Sequence, residues 1–479
     1  MNVEDLEWQA DTWGGVSPRV VDSLVECGHL DLVVQAANER GDWFCARAAV
    51  RELCALEEFE RAWAVMKPFT ETNWLPAVSA GADILLRWGR VEEALALARP
   101  DGATWKAGEV CQAYADVLVK AGRVDEAITV LEPHLMEGWV LPSLVEMTEG
   151  QGRDERVLEL LVPLAEEARR GQAGGRPHAL WRALDLQAEV LERSGRVDEA
   201  IRILGADVAA RRYGPQNTVQ SYAELLARHG RMEELRQAAT GGHAREAFRP
   251  LVMALENAGR APEGETMLRE FIDTTDYPRN YQSLLMELLA RQGRIDEAVE
   301  AVRTTFEDPW EGLLQPAVLM LAENGLHERA LRLLDERSPE FLEESLDWVP
   351  SNRWLLMGES GRCREAIAEV EAMPGLEPDE RDTTIAWLLA QDGRVDEAID
   401  LLRSYAERSI ATDLAELLIR QNRPAEAIAA IPGVAAQRRE EQRRWGTWSS
   451  KDDGAGCTDE WSSEEASDGC AEGPPLQRS

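Results

Sequence analysis

Lysine is nearly missing from this sequence. Only Lys67, Lys106, Lys120 and Lys451 occur among 479 residues, against 48 arginines, a bias of the kind a GC-rich coding sequence produces. None of the four follows a glycine, so no Gly-Lys-Ser/Thr exists and a Walker A phosphate loop is excluded. Histidine is scarce too. His29, His134, His178, His229, His243 and His327 are scattered, with no His-Glu-x-x-His and no pair at metal-ligand spacing on one helix. They read as surface or packing residues. There is no Gly-x-Ser-x-Gly elbow, and Asp452-Asp453-Gly454 has no ladder of calcium ligands around it. The expectation is a protein that is not an enzyme, with no cofactor, no metal and no small-molecule ligand.

Other absences bound the compartment and the partners. No run of 18 apolar residues occurs, so no membrane-spanning helix is expected. The start, Met1-Asn2-Val3-Glu4-Asp5, lacks the basic and apolar regions of a secretory signal. The cysteines Cys27, Cys45, Cys54, Cys111, Cys363, Cys457 and Cys470 are odd in number and form no Cys-x-x-Cys. Reduced thiols in a cytoplasm are expected, most of them small core residues. Positive charge is in deficit: 52 Lys and Arg against 88 Asp and Glu leave a net charge of −36. Binding to nucleic acid or to an anionic membrane draws on a basic surface, so both are argued against.

What is present is repetition. Ala121-Gly-Arg-Val-Asp-Glu-Ala-Ile128 returns as Ser194-Gly-Arg-Val-Asp-Glu-Ala-Ile201, Gln292-Gly-Arg-Ile-Asp-Glu-Ala-Val299 and Asp392-Gly-Arg-Val-Asp-Glu-Ala-Ile399. Weaker copies extend the series to thirteen hinge residues: Gly28, Glu57, Gly89, Gly122, Gly152, Gly195, Gly230, Gly259, Gly293, Gly325, Gly361, Gly393 and Asn422. Their mean spacing is just under 33 residues, the range of helical-hairpin arrays. Positions not used to choose the hinges test the alignment. Four residues before the hinge, eleven of thirteen are Leu; five residues after it, nine of thirteen are Ala.

The unit reads as helix, tight turn, helix. Val110, Tyr114, Val117 and Leu118 form one helical stripe; Val124, Ala127, Ile128 and Leu131 form the next. Glycine supplies the left-handed backbone that ends the first helix, and the Asp-Glu pair suits the start of the second. The small Ala allows close helix approach. Gly-x-apolar-Asp/Glu-Glu-Ala-Ile, after a helix with Leu four residues earlier, resembles the tetratricopeptide repeat over roughly residues 14–432. The pattern is degenerate: the early aromatic has no fixed place and the closing Pro is irregular. The same string also resembles pentatricopeptide repeats. The resemblance implies an all-α right-handed superhelical solenoid of about thirteen antiparallel hairpins that binds protein or peptide.

Boundaries are few. Gly171-Gln-Ala-Gly-Gly-Arg-Pro177 lies in the longest interval and reads as a break between sub-arrays. The pattern stops at Pro432-Gly433. Residues 433–445 read as a capping helix, and 446–479 as a disordered acidic tail carrying Trp448 and Trp461. Terminal hairpins of such an array need a cap, from the tail or from another copy.

Two features could bind. Six residues before the hinge, eight of thirteen positions are acidic, among them Asp83, Asp116, Glu189, Glu224, Glu287 and Glu416. The tetratricopeptide resemblance implies that these first helices line the concave groove, giving an acidic ladder for a basic peptide. A second reading stands beside it. Arg87, Lys120, Arg193, Arg228, Arg291 and Arg420 lie four residues further on, so six units pair the acid within its own helix, worth about 0.2–0.5 kcal/mol each. Trp387 holds a ladder position where other units carry acids or aliphatics, and reads as an exposed anchor. Sixteen Trp is high, and Trp13, Trp43, Trp74, Trp105, Trp139, Trp181, Trp310 and Trp348 fall near the start of first helices. They read as packing between hairpins, or as ligand anchors.

The expected function is a non-enzymatic scaffold or adaptor for a protein or peptide, a basic one being suited to the acidic ladder. A narrower version is a regulatory array that works with a separate catalytic or DNA-binding protein. Pentatricopeptide-like RNA binding is the rival, and the charge opposes it.

Overall fold

A computed structural model describes residues 1–172, 180, 182–210, 216–241, 244–308, 312–338, 341, 342, 345, 348–405 and 407–452. Among the described residues there are helices and connections but no strand. Each hinge joins two antiparallel helices, which makes thirteen hairpins. Hairpin 1 is Pro18–Glu26 and Leu30–Arg40; hairpin 13 is Arg408–Arg420 and Pro424–Ala430.

The hinge works as the residues require. All thirteen have positive φ, from 56° at Asn422 to 82° at Gly195. The following N–H donates to the carbonyl of the Leu four residues before the hinge: His29 to Leu24, Arg123 to Leu118 and Arg423 to Leu418, each at 2.8 Å. This is the Schellman closure, which satisfies a carbonyl the helix end would otherwise leave open. A Cβ on Gly122 or Gly293 would meet nothing within 4 Å, so glycine there answers only to backbone conformation. The Leu also has a second task, since its side chain is buried in the seam between helices, as at Leu24, Leu118 and Leu226. The Ala five residues after the hinge is buried at every unit that has it, including Ala127 and Ala298.

Second helices pack along the first helix of their own hairpin and along that of the next. First helices also meet their neighbours' first helices in succession, whereas second helices mostly do not meet one another. The first helices therefore sit closer together and line the inner, concave face.

The array does not end in free hairpins. The first helix of hairpin 13 packs against that of hairpin 1, and their second helices also meet. One apolar core runs across this junction, joining Val20, Val21 and Leu24 with Ile410, Leu414 and Leu417. The polar bonds across it are specific. Arg19 donates to Glu416 at 2.6 Å, and Arg40 donates to the carbonyls of Ile428, Ile431 and Pro432. Helix Val434–Asp452 then lies against helix Val3–Thr12. Gln437 exchanges two 3.0 Å hydrogen bonds with the Gly15 backbone, the Trp8 indole donates to Glu441 at 2.5 Å, and Arg438 pairs with Asp5. The solenoid is thus closed on itself. The terminal hairpins, expected to be capped by the tail or a second copy, cap each other.

The C-terminal helix continues to Asp452, past the expected start of the tail at 446. Residues 453–479 lie outside the described residues, as do Trp461, Cys457 and Cys470. So does the proposed break at 171–177, apart from the last two residues of helix Asp154–Gln172. Cys45, Cys54, Cys111 and Cys363 are buried, and Cys27 is exposed.

Candidate partner-binding face

The ladder positions all fall on first helices, but their charges are spent differently. Asp83 pairs with Arg87 at 2.9 Å and with Lys120 of the next hairpin at 3.4 Å. Asp116 pairs with the same Lys120 at 2.8 Å. Glu287 takes Arg249 of the preceding hairpin at 2.8 Å, with Arg291 at 3.8 Å. Glu416 faces Arg19 across the closing junction. These four are neutralised; Asp83 and Glu287 pair both between hairpins and along a helix, Asp116 along its helix and Glu416 between hairpins.

Glu189, Glu224 and Glu146 are different. Glu224 accepts only from Gln220, at 2.8 Å. Glu189 and Glu146 are exposed and make no hydrogen bond or ion pair among the described residues. Glu146 has no basic residue at i+4, and the expected partners of Glu189 and Glu224 are engaged elsewhere. Arg193 turns to Asp154 and to the Val145 carbonyl, and Arg228 to Glu192 of the preceding hairpin. That Arg228 hydrogen bond holds the Glu192 carboxyl below the usual range.

Trp387 corrects an expectation. It is half-buried, not an exposed anchor, and its ring covers Gly358 of the preceding first helix. The other tryptophans divide. Trp43 and Trp74 are buried and meet edge to face at 4.7 Å, as packing residues would. Trp13, Trp105 and Trp139 are 63%, 37% and 40% exposed. Trp181 and Trp310 lie outside the described residues.

Between hairpins 4 and 5 the inner face opens into a hollow of about 500 Å³. It lies between first helices Gly108–Lys120 and Val140–Met147 and is lined by Glu109, Gln112, Asp116, Ser143, Glu146 and Met147. The Gln112 amide donates to the Ser143 hydroxyl at 2.5 Å, which ties its walls together. Glu109 and Glu146 meet no basic group among the described residues, so two exposed carboxylates project here without compensation.

One use of charge went unrecognised in the repeat. The Arg after the hinge forks to the Glu three residues on, as Arg196 does to Glu199 at 2.7 Å and Arg394 to Glu397 at 2.6 Å. It also reaches the second helix of the hairpin before, as Arg153 does to Asp125 and Arg231 to Asp198. The Asp-Glu pair therefore does more than favour a helix start; it carries an ion ladder from hairpin to hairpin. The recurrence of Arg in Gly-Arg-Val-Asp-Glu-Ala was the available signal.

Residues 280–304 match the tetratricopeptide repeat family model. They cover one hairpin, with first helix Arg279–Arg291, the hinge at Gly293 and second helix Ile295–Val302. The chain is a tetratricopeptide-like helical repeat protein. No curated protein matches the sequence of this tetratricopeptide-like array. Among solved structures it is similar to Naa15/Naa10 bound to HypK-THB, at 16% identity over 85% of this chain and 72% of that chain, with TM-score 0.36. It is similar to the pentatricopeptide repeat protein PPR10 from maize, at 16% identity over 88% and 68%, TM-score 0.31. It is also similar to yeast Tom70, at 11% over 80% and 90%, TM-score 0.30. Among the described residues of the array, no helix is long and apolar enough to cross a membrane. Nor does any group of three or more His, Cys, Asp or Glu there suit a metal ion.

Proposed function

We propose that this chain is a non-catalytic scaffold or adaptor that takes a basic segment of a protein partner on its first-helix face. The observation that supports this reading most directly is the pair of uncompensated carboxylates, Glu109 and Glu146, in the hollow between hairpins 4 and 5. Glu189 and Glu224, which share the field of Arg228, continue the acidic stretch into hairpins 6 and 7. Asp83, Glu287 and Glu416 bond between hairpins and Asp116 holds Lys120 in its own helix; on this reading they are not primary contacts. Complementary charge contributes specificity and association rate, and a solenoid face offers it over several repeats.

The test is capture of proteins from native lysate by the full-length chain and by a variant with Glu146, Glu189 and Glu224 changed to Lys. Circular dichroism verifies that both remain helical. A partner held by the wild type and lost by the variant is the expected result. Partners held equally by both would move the contact off this face. Single-stranded RNA that co-purifies with the wild type would overturn the reading of the charge.

A further inference from the structure

Three of the exposed apolar side chains stand on one edge of the array. Trp105, Met136 and Trp139 are 37%, 52% and 40% exposed, and all lie in the connections that lead into the first helices of hairpins 4 and 5. At the corresponding place in hairpins 2 and 3, Trp43 and Trp74 are buried. The edge is held in place by its own bonds. Buried His134 lies 3.2 Å from the Trp105 carbonyl through Nε2 and 2.9 Å from the Glu137 carboxylate through Nδ1. The Glu137 carboxylate in turn covers Gly108, the first residue of the first helix of hairpin 4, where a Cβ would collide with it. The Trp105 ring stands at right angles to Tyr114, with 5.9 Å between centroids, and keeps 37% of its surface exposed. The Ser143 hydroxyl, on a wall of the hollow, donates to the Trp139 carbonyl at 3.2 Å. The edge leads directly into the two first helices that wall the hollow.

We infer that this surface docks an arginine-bearing segment of a protein partner, with the guanidinium between the indole faces and the carboxylates of Glu109 and Glu146. The inference rests on the scaffold reading above and narrows it to hairpins 4 and 5. Arginine is favoured over lysine because its planar cation stacks on an indole and still forks to a carboxylate. Apolar neighbours of that arginine would cover Met136 and the remaining ring surface. Two exposed indoles on the connections into the helices that carry Glu109 and Glu146 fit no acidic or neutral segment as well.

The experiment separates this site from the attraction that a net charge of −36 exerts on any basic peptide. A fluorescein-labelled nonapeptide, two arginines flanking leucines in a Gly/Ser frame, is titrated with the full-length chain and read by anisotropy. Lysine and glutamate counterparts are run beside it. Trp105→Ala with Trp139→Ala leaves the charge unchanged and is expected to weaken the arginine peptide at least tenfold. Met136→Ser removes no packed ring and is expected to weaken it about threefold. Glu109→Gln with Glu146→Gln is expected to weaken it and to lower the salt dependence. The lysine peptide is expected to bind several-fold more weakly, and the glutamate peptide not at all. Equal binding by the wild type and the tryptophan and Met136 variants would overturn the site, as would no binding by the wild type. Loss only in a Glu189→Lys, Glu224→Lys variant would overturn it too, while leaving the broader scaffold reading in place.

Discussion

Asp185 shows how a single residue sets a pH response in this array. It lies in first helix Ala183–Arg193, accepts from Ser221 and Thr218 of the next hairpin, and keeps Oδ1 buried without a hydrogen bond. Burial pushes its carboxyl up to about 6 from 3.8, against the hydrogen bonds that lower it. A raised folded-state value means the native protein takes up a proton before the unfolded chain does. The contribution of Asp185 to stability therefore rises as pH falls through about 6 and levels off below 3.8. Asp185→Asn is expected to flatten that part of the profile, measured as urea midpoints between pH 4 and 7. Glu57 is a second case. It has φ of 61° at a hinge where eleven of the thirteen units have glycine. Glu57→Gly relieves a left-handed conformation that costs a side-chain residue about 1–2 kcal/mol, offset in part by the freer unfolded chain. A net gain of about 0.5–1 kcal/mol is expected in a thermal scan. These thirteen hinges were legible as residues because their backbone demand repeats with the period of the chain. Asp185 was not, because its burial depends on helices that only the packing brings together.

Among elements, the seam between consecutive first helices sets what fits. A Cβ on Gly358 would stand 2.6 Å from the Trp387 ring and 3.2 Å from Leu388. Gly358→Ala gains about 1 kcal/mol of helix propensity. It also forces the indole out of its seat, an overpacking that costs about 1–3 kcal/mol. A net loss of stability is expected, and Trp387→Leu in the same chain is expected to recover part of it. The pair explains why Trp387 looked exposed by periodicity: the glycine that receives its ring belongs to another repeat and lies 29 residues earlier. The same limit applies to Trp105 and Trp139. Sequence position places them with Trp43 and Trp74, and only the two bonded connections of hairpins 4 and 5 turn them outward. The acidic stripe was legible as a stripe. Which acids were neutralised was not, because Arg193 and Arg228 pair between hairpins rather than within a helix.

At the scale of the whole molecule the decisive feature is the closing junction. Its bonds join residues about 400 apart, such as Arg19 with Glu416 and Gly15 with Gln437, and none of them recurs in other units. A repeat pattern carries no sign of such contacts, so from the repeat alone an open array in need of a cap is expected. Glu416→Arg should set two guanidinium groups against each other at the junction and lower the melting temperature. Adding Arg19→Glu restores opposite charges, and is expected to recover most of the loss but not all, since Asp413 stands 3.8 Å from the Arg19 guanidinium. Equal melting of the single and double variants would count against the closure. A closed array also has no frayed end from which unfolding can start, so amide exchange should be slow at hairpins 1 and 13 as well as midway. Helices Val3–Thr12 and Val434–Asp452 lie side by side, so a short linker between them turns the chain into a loop of sequence with no privileged origin. Cut instead at the Gly122 or Gly293 hinge, such circular permutants should fold to the same ring.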